Sequence, residues 1–199
     1  AIYGNNNSNI SNTLTRVAIL YHELEDFNKA LDYFDKSLEI NKKIYTPNSS
    51  FVAESYSHIA QTYFDSEAYK DALSYFEKAE NANHNRINLN NNNNYLDHNV
   101  QLTILFGKAK TYTNLYNQSN DDIDLENAIR CYKQIDKLIH DIRQTLTNFQ
   151  DKVNYAVKTK EIYQDAIATQ LLSKDSKSIL RAFYYIEKSK ANTHKELLN

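Results

Sequence analysis

The sequence predicts an all-α stack of antiparallel helix pairs, and three observations carry that prediction. Ala18, Tyr21, Ala30, Leu31, Tyr33, Phe34 and Lys36 recur 42 positions later as Ala60, Tyr63, Ala72, Leu73, Tyr75, Phe76 and Lys78. A fixed period of this size marks units that bury their apolar faces only against neighbouring copies. The recurring residues are mostly small or aromatic and lie at helical spacing, as close-packed helices require. Finally, the 199-residue chain holds Gly 2 and Pro 1, far below the usage of proteins built on sheets and tight turns.

Each element follows from its pattern. Leu14, Val17, Ala18 and Tyr21 fall at i, i+3, i+4 and i+7, so a first helix is expected from Ser8 to Leu24. Glu25-Asp26 turns the chain into a second helix, expected over Phe27–Ile44, with Ala30, Leu31, Phe34 and Leu38 on one face. Ala18 and Ala30 are placed where the pair crosses, because a small side chain lets backbones approach to about 8–10 Å. The second pair repeats this over Phe51–Phe64 and Tyr69–Asn83, with Asn48-Ser49-Ser50 supplying N-cap chemistry. Ile2-Tyr3 matches Ile44-Tyr45, so the chain is expected to open in the last turn of an earlier helix. With helical pattern up to Asn199 and Met 0, the expectation is a fragment excised from a longer array. Removal of an initiator Met before Ala1 is the alternative account of the start.

Beyond Asn81 the period slips. A third pair is anchored by Ala109 and Tyr112, then by Ala128 and Tyr132; Ala60 to Ala109 spans 49 positions rather than 42. The additional residues are assigned to irregular loops near 84–95, where Asn90–Asn94 run unbroken, and near 117–122. Asn competes with the backbone for hydrogen bonds and disfavours regular structure. A fourth pair is expected from Asn148 to Ser173, carrying Val153, Val157, Ile162, Ala166 and Ile167, and from Ser176 onward, carrying Leu180, Ala182, Phe183, Ile186 and Ala191.

Composition narrows the function classes. A formal net charge of −2 offers no electrostatic footprint for nucleic acid. No run approaches the roughly 18 apolar residues of a membrane span, and no signal peptide opens the chain. The single cysteine, Cys131, excludes an internal disulfide framework and fits a reducing cytoplasm. Cys131 and His140 lie nine residues apart on one expected helix, which puts them on opposite faces and argues against a catalytic dyad. The histidines show no i, i+4 pair with an intervening Glu, and neither Gly4 nor Gly107 belongs to a phosphate loop, so no metal or cofactor is expected. No catalytic residue is assigned, and the chain is read as a non-enzyme.

The small and aromatic positions Ala18, Tyr21, Ala30 and Phe34, with their copies, resemble the tetratricopeptide repeat in a 42-residue form. Several later segments look like the helical region of bacterial CHAT proteins. These are Ala79–Asn83, Leu105–Ala109 leading to Leu115-Tyr116, Asp124–Ala128 with Cys131-Tyr132, Glu161–Tyr163 with Ala166-Ile167, and Ala182–Ala191. The resemblance implies a right-handed solenoid forming a single domain over residues 1–199. It further implies a regulatory or sensing arm preceding a caspase-like protease domain that is absent from this chain. In that family the protease follows directly and some members are switched on by a bound partner. A free-standing adaptor that assembles a signalling complex is the alternative.

By the tetratricopeptide register, the first helix of each pair lines a concave groove. The lining is then Asn12, Thr15, Ile19 and His22, followed by Glu54, Ser57, Gln61 and Phe64, and finally Phe106, Lys110 and Thr113. Clamps for a terminal carboxylate place Lys and Asn at sites that here hold Thr15, Ile19, Ser57 and Gln61. This mixture suits a neutral protein or peptide partner instead; the bland alternative is a solvated face with no ligand.

Overall fold

The computed structural model describes residues 2–84 and 95–197. Among the described residues regular structure is helical, apart from one isolated antiparallel bridge between His84 and Tyr95. The helices are α1 (Ile2–Glu23), α2 (Phe27–Ile44), α3 (Ser50–Asp65), α4 (Tyr69–Asn83), α5 (His98–Ser119), α6 (Asp122–Thr145), α7 (Phe149–Leu172) and α8 (Ser178–Leu197). The bounds of α2 and α4 coincide with those expected from the repeat. The Asn90–Asn94 run lies outside the described residues.

Two expected interruptions are absent. Helix α1 is continuous from Ile2, so Ile2-Tyr3 belong to it and not to an earlier helix. Gly and Asn each cost a helix less than about 1 kcal/mol relative to Ala, and only Pro forces a break. The loop expected near 117–122 shrinks to Asn120 and Asp121, because residues 117–119 continue α5 and Asp122 opens α6. Ser119 is accommodated by bonding its hydroxyl to the Leu115 carbonyl at 3.0 Å. Asn120 takes φ 53, which Asn tolerates, and Asp121 caps α6 through the Ile123 N–H.

Packing gathers the chain into two compact units, residues 1–111 and 112–199, with α5 contributing to both. In the first unit α1 packs on α2, α2 on α3 and α3 on α4. Ala18, Ala30, Ala60 and Ala72 are fully buried. Ala18 and Ala30 share a cluster with Phe34, Leu38, Val52 and Ile59, and Ala60 and Ala72 share the next with Phe76, Ala79 and Ile104. At Gly107 helix α5 comes so close to α4 that an added Cβ would overlap the Phe76 ring.

The turns within the two helix pairs, α1–α2 and α3–α4, are copies 42 residues apart. Glu25 and Glu67 both have positive φ, 59° and 62°. The N–H of Asp26 reaches the Tyr21 carbonyl at 2.9 Å and that of Ala68 reaches Tyr63 at 2.9 Å, so each helix end satisfies its last carbonyls by a left-handed residue. Glycine normally fills that position without steric cost. Glu67→Gly should therefore stabilise the fold by about 1 kcal/mol, measured by denaturant unfolding. The copies differ at the next residue: the Asp26 carboxylate accepts from the Lys29 N–H at 3.2 Å, whereas Ala68 has no side-chain cap. Ala68→Asp should add about 1 kcal/mol by supplying it. A loss of stability from either change would contradict this account of the turns.

Asn41 and Asn83, also 42 apart, each tie the end of a second helix to the segment after it. The Asn41 Nδ2 donates to Ser55 Oγ at 2.8 Å. The fully buried Asn83 donates to the Asp97 carbonyl at 2.8 Å, accepts from the Asp97 N–H at 3.0 Å and donates to Gln101 Oε1 at 3.2 Å.

In the second unit α6 packs on α7 and α7 on α8. Its core holds Leu125, Ala128, Tyr132, Ile135, Ile162, Tyr163, Ala166, Ala182 and Tyr185. The expected apolar faces of α7 and α8 are corrected here. Val157 and Leu180 are each 69% exposed and Phe183 is 56% exposed. The face that α7 buries instead runs through Tyr155, Ala156, Thr159, Ile162, Tyr163 and Ala166. Large tyrosines and a threonine took interior places that the apolar count had given to Val157.

Candidate functional site

Within the first unit the expected lining residues fall into three neighbouring groups on α1, α3 and α5. The first surrounds a cleft of about 220 Å³ between α1, α2 and α3, lined by Asn12, Thr15, Arg16, Asn41, Phe51, Glu54, Ser55 and His58. Asn12, Arg16 and Glu54 are solvent-exposed. Glu54 nevertheless has its carboxyl held above the usual carboxylate range, by desolvation first and the nearby Asp97 charge second. Arg16 and Glu54 give the cleft one charge of each sign, and Asn12 gives it an amide.

Thr15 serves a different purpose from the one its register suggested. Its hydroxyl lies 2.8 Å from Ser37 Oγ, Ser37 lies 2.8 Å from Ser11 Oγ, and Ser11 donates to Asn41 Oδ1 at 2.6 Å. Asn41 donates onward to Ser55, which donates to the Phe51 carbonyl at 2.9 Å. Ser37 Oγ also donates to the Ser11 carbonyl at 3.0 Å, and the far end of the network reaches backbone, so polar atoms between three helices are satisfied. In the second repeat Ala53 and Ala79 replace Ser11 and Ser37 at the same positions, so no relay is needed there. Ser57, another residue expected in the lining, is only 6% exposed.

His58 escaped the register reading because it sits one position beyond Ser57. Its ring stacks on Phe34 with centroids 5.2 Å apart and planes 2° from parallel. Burial, followed by the charge His22 can carry, holds its pKa below the usual histidine value. The unfolded chain therefore takes this proton more readily than the folded one. Stability should fall as pH drops below about 6.5 and level off beneath the lowered folded value. His58→Phe should shrink that slope in melting temperature measured from pH 8 to pH 5; an unchanged slope would sink the assignment.

The second group centres on Asp65. Its Oδ2 is 2.9 Å from His22 Nε2 and accepts from Gln61 Nε2 at 2.8 Å. The His22 ring also leans on Phe27, with centroids 5.6 Å apart. Asp65 was missed by the register and pins two of its members, while Ile19 is half-buried against the core cluster below. The third group holds Lys110, whose ammonium lies 5.4 Å from the centroids of both Phe64 and Phe106. Phe64 also touches Tyr69 and packs against the second core cluster. Thr113 belongs to the second unit, where its hydroxyl lies 3.2 Å from Thr169 Oγ1.

Cys131 is buried on α6 while His140, on the same helix, is exposed. Among the described residues no group of three or more His, Cys, Asp or Glu converges as metal ligands would. No helix among them is long and apolar enough to cross a membrane.

Helix pairs, small residues at the crossings and a 42-residue spacing define an all-α helical-repeat fold. Residues 9–83 match the family model of the tetratricopeptide repeat. Among solved structures, the crystal structure of BtubC (BKLC) from P. vanneervenii is similar, with a TM-score of 0.58 at 16% sequence identity. The likeness covers 95% of this chain and 65% of that one, so this chain spans about two thirds of its length. At this identity the likeness concerns the fold alone. No curated protein matches the chain in sequence.

Proposed function

We propose that this chain is a protein–protein interaction scaffold that binds a neutral polypeptide segment along α1, α3 and α5 of the first unit. The observation that carries the reading is the cleft that brings Asn12, Arg16 and Glu54 together with His58. It offers a donor, a cation and an anion in close succession, which suits the alternating polar groups of a peptide. Lys110 between two phenylalanine rings extends the same kind of surface. The matched repeat over residues 9–83 supports the reading, since such repeats stack into extended binding surfaces. The groove set is thereby narrowed, because Thr15 and Ser57 are engaged or buried.

The finer proposal is that the chain forms a single repeat domain acting as the regulatory arm of a bacterial, cytoplasmic CHAT-type caspase-like protease. The segments from Ala79–Asn83 to Ala182–Ala191 support it by resemblance. The coding sequence after Asn199 tests it: strands with separated His and Cys motifs would support the arm, and a stop codon would favour the adaptor.

The binding test is selection of peptides from a displayed random 12-residue library on the purified chain. Enriched peptides should lose at least about tenfold in affinity on Arg16→Ala with Glu54→Ala, roughly 1.4 kcal/mol. Both residues are exposed, so melting temperature should stay unchanged. Phe64→Ala is unsuitable for this purpose, since its contacts with the core would lower stability as well. Peptides indifferent to the double change and displaced by alterations on α2 or α4 would reject the cleft.

A further inference from the structure

The second unit carries a larger open cleft of about 760 Å³ that the peptide site does not use, walled by α6 and α8 with α7 beneath. Its α6 wall presents Ile129, Lys133 and Lys137 at successive i+4 positions, one stripe along the helix. Its α8 wall presents Leu180 and Tyr184, likewise one turn apart, with Arg181 between them. Leu180 is 69% exposed and Tyr184 46% exposed. Two lysines on the α6 wall thus share the cleft with an exposed leucine and tyrosine on the α8 wall.

The walls are preorganised. Tyr184 donates its hydroxyl to Asp136 Oδ2 at 2.7 Å, which fixes the angle of an otherwise exposed ring. Asp136 also accepts from Tyr163 at 2.9 Å and lies 3.7 Å from Lys188 Nζ. The acid of the cleft is thus committed to the wall itself. Arg181 is paired with Asp175 at 2.7 Å. Lys133 and Lys137 are exposed, and with Arg181 they outnumber Asp136, the one acid among the lining residues. The chain as a whole has a formal net charge of −2, so the sign of this cleft is opposite to that of the chain.

We propose that this cleft binds an acidic amphipathic helix of a partner protein. Its apolar face lies between Ile129 and Leu180–Tyr184, and its carboxylates meet Lys133 and Lys137. A helix matches a cleft whose anchoring groups are spaced by turns on both walls, and opposite charge on one flank fixes its orientation. Nucleic acid is disfavoured by the apolar wall and by Asp136 inside the cleft.

The test uses a synthetic helical peptide of 18 residues, end-blocked and fluorescently labelled, with Leu on one face and Glu on both flanks. A twin carries Lys for every Glu. Titrated against the 199-residue chain by anisotropy, the acidic peptide should bind and its twin should not. Lys133→Glu with Lys137→Glu should weaken the acidic peptide at least about tenfold and favour the twin. Leu180→Asp should weaken the acidic peptide on the unaltered chain and on the charge-reversed variant alike. All three side chains are exposed, so circular-dichroism melts should be unchanged. Equal binding of the two peptides, or indifference to the charge reversal, would overturn the proposal. So would concentration-dependent self-association that Leu180→Asp removes, which would assign the cleft to a second copy of the chain. Failure here would leave the α1–α3 peptide site untouched, because Arg16 and Glu54 lie in the other unit.

Discussion

Replacing Gly107 by alanine should destabilise the first unit by about 1–3 kcal/mol, although alanine is the better helix former. Two effects oppose each other at this position. Glycine inside α5 costs the helix about 1 kcal/mol relative to alanine, so propensity alone predicts a gain. Against that, the new methyl group would overlap the ring of Phe76, which is itself 1% exposed and held in the second core cluster. A close-packed interior absorbs one extra carbon only by moving a ring or a helix, and the overlap is with several ring atoms at once. Sterics should win. Denaturant unfolding of Gly107→Ala, Phe76→Leu and the double variant checks the cause, since the two changes should be strongly non-additive. A stabilised Gly107→Ala protein would show that α4 and α5 sit further apart than described.

The second large effect is expected at Asn83. Asn83→Ala removes partners from the Asp97 N–H, the Asp97 carbonyl and Gln101 in one step. Gln101 is fully buried and would keep its bond to Glu80 at 3.0 Å but lose its other contact. Each buried polar group left unsatisfied costs about 1–3 kcal/mol. Asn41→Ala should cost less, because Asn41 borders the open cleft and water can replace its side chain. Hydrogen exchange of the α4 and α5 amides, measured beside thermal melts, reports whether the loss is local. Equal costs at Asn41 and Asn83 would mean that burial does not distinguish the two copies.

The repeat made much of the fold legible in advance. Ala18, Ala30, Ala60 and Ala72 were readable because helix crossings admit little else, and the 42-residue period identified their copies. Glu25 and Glu67 were not readable as left-handed turn residues, since that conformation usually announces itself by glycine. The α7 interior was misjudged because hydropathy ranks Val157 above Tyr155 and Thr159, whereas packing placed the latter two inside. At the candidate site, the register found Asn12 and Glu54 but could not tell Ser57 from a lining residue. A serine gives the same signal on either side of a helix. Arg16, His58 and Asp65 were missed for a related reason: they sit beside register positions, and only side-chain reach from a neighbouring helix brings them into play.

The bridge between His84 and Tyr95, with the Asn83 side chain gripping Asp97 and the Leu96 N–H reaching the Asn83 carbonyl at 2.8 Å, closes a ring of contacts at one spot. The end of α4 and the start of α5 therefore meet at a clasp made by their own residues. Helix α5 meets α4 a second time where Gly107 faces Phe76, so two separate contacts fix how these helices lie together.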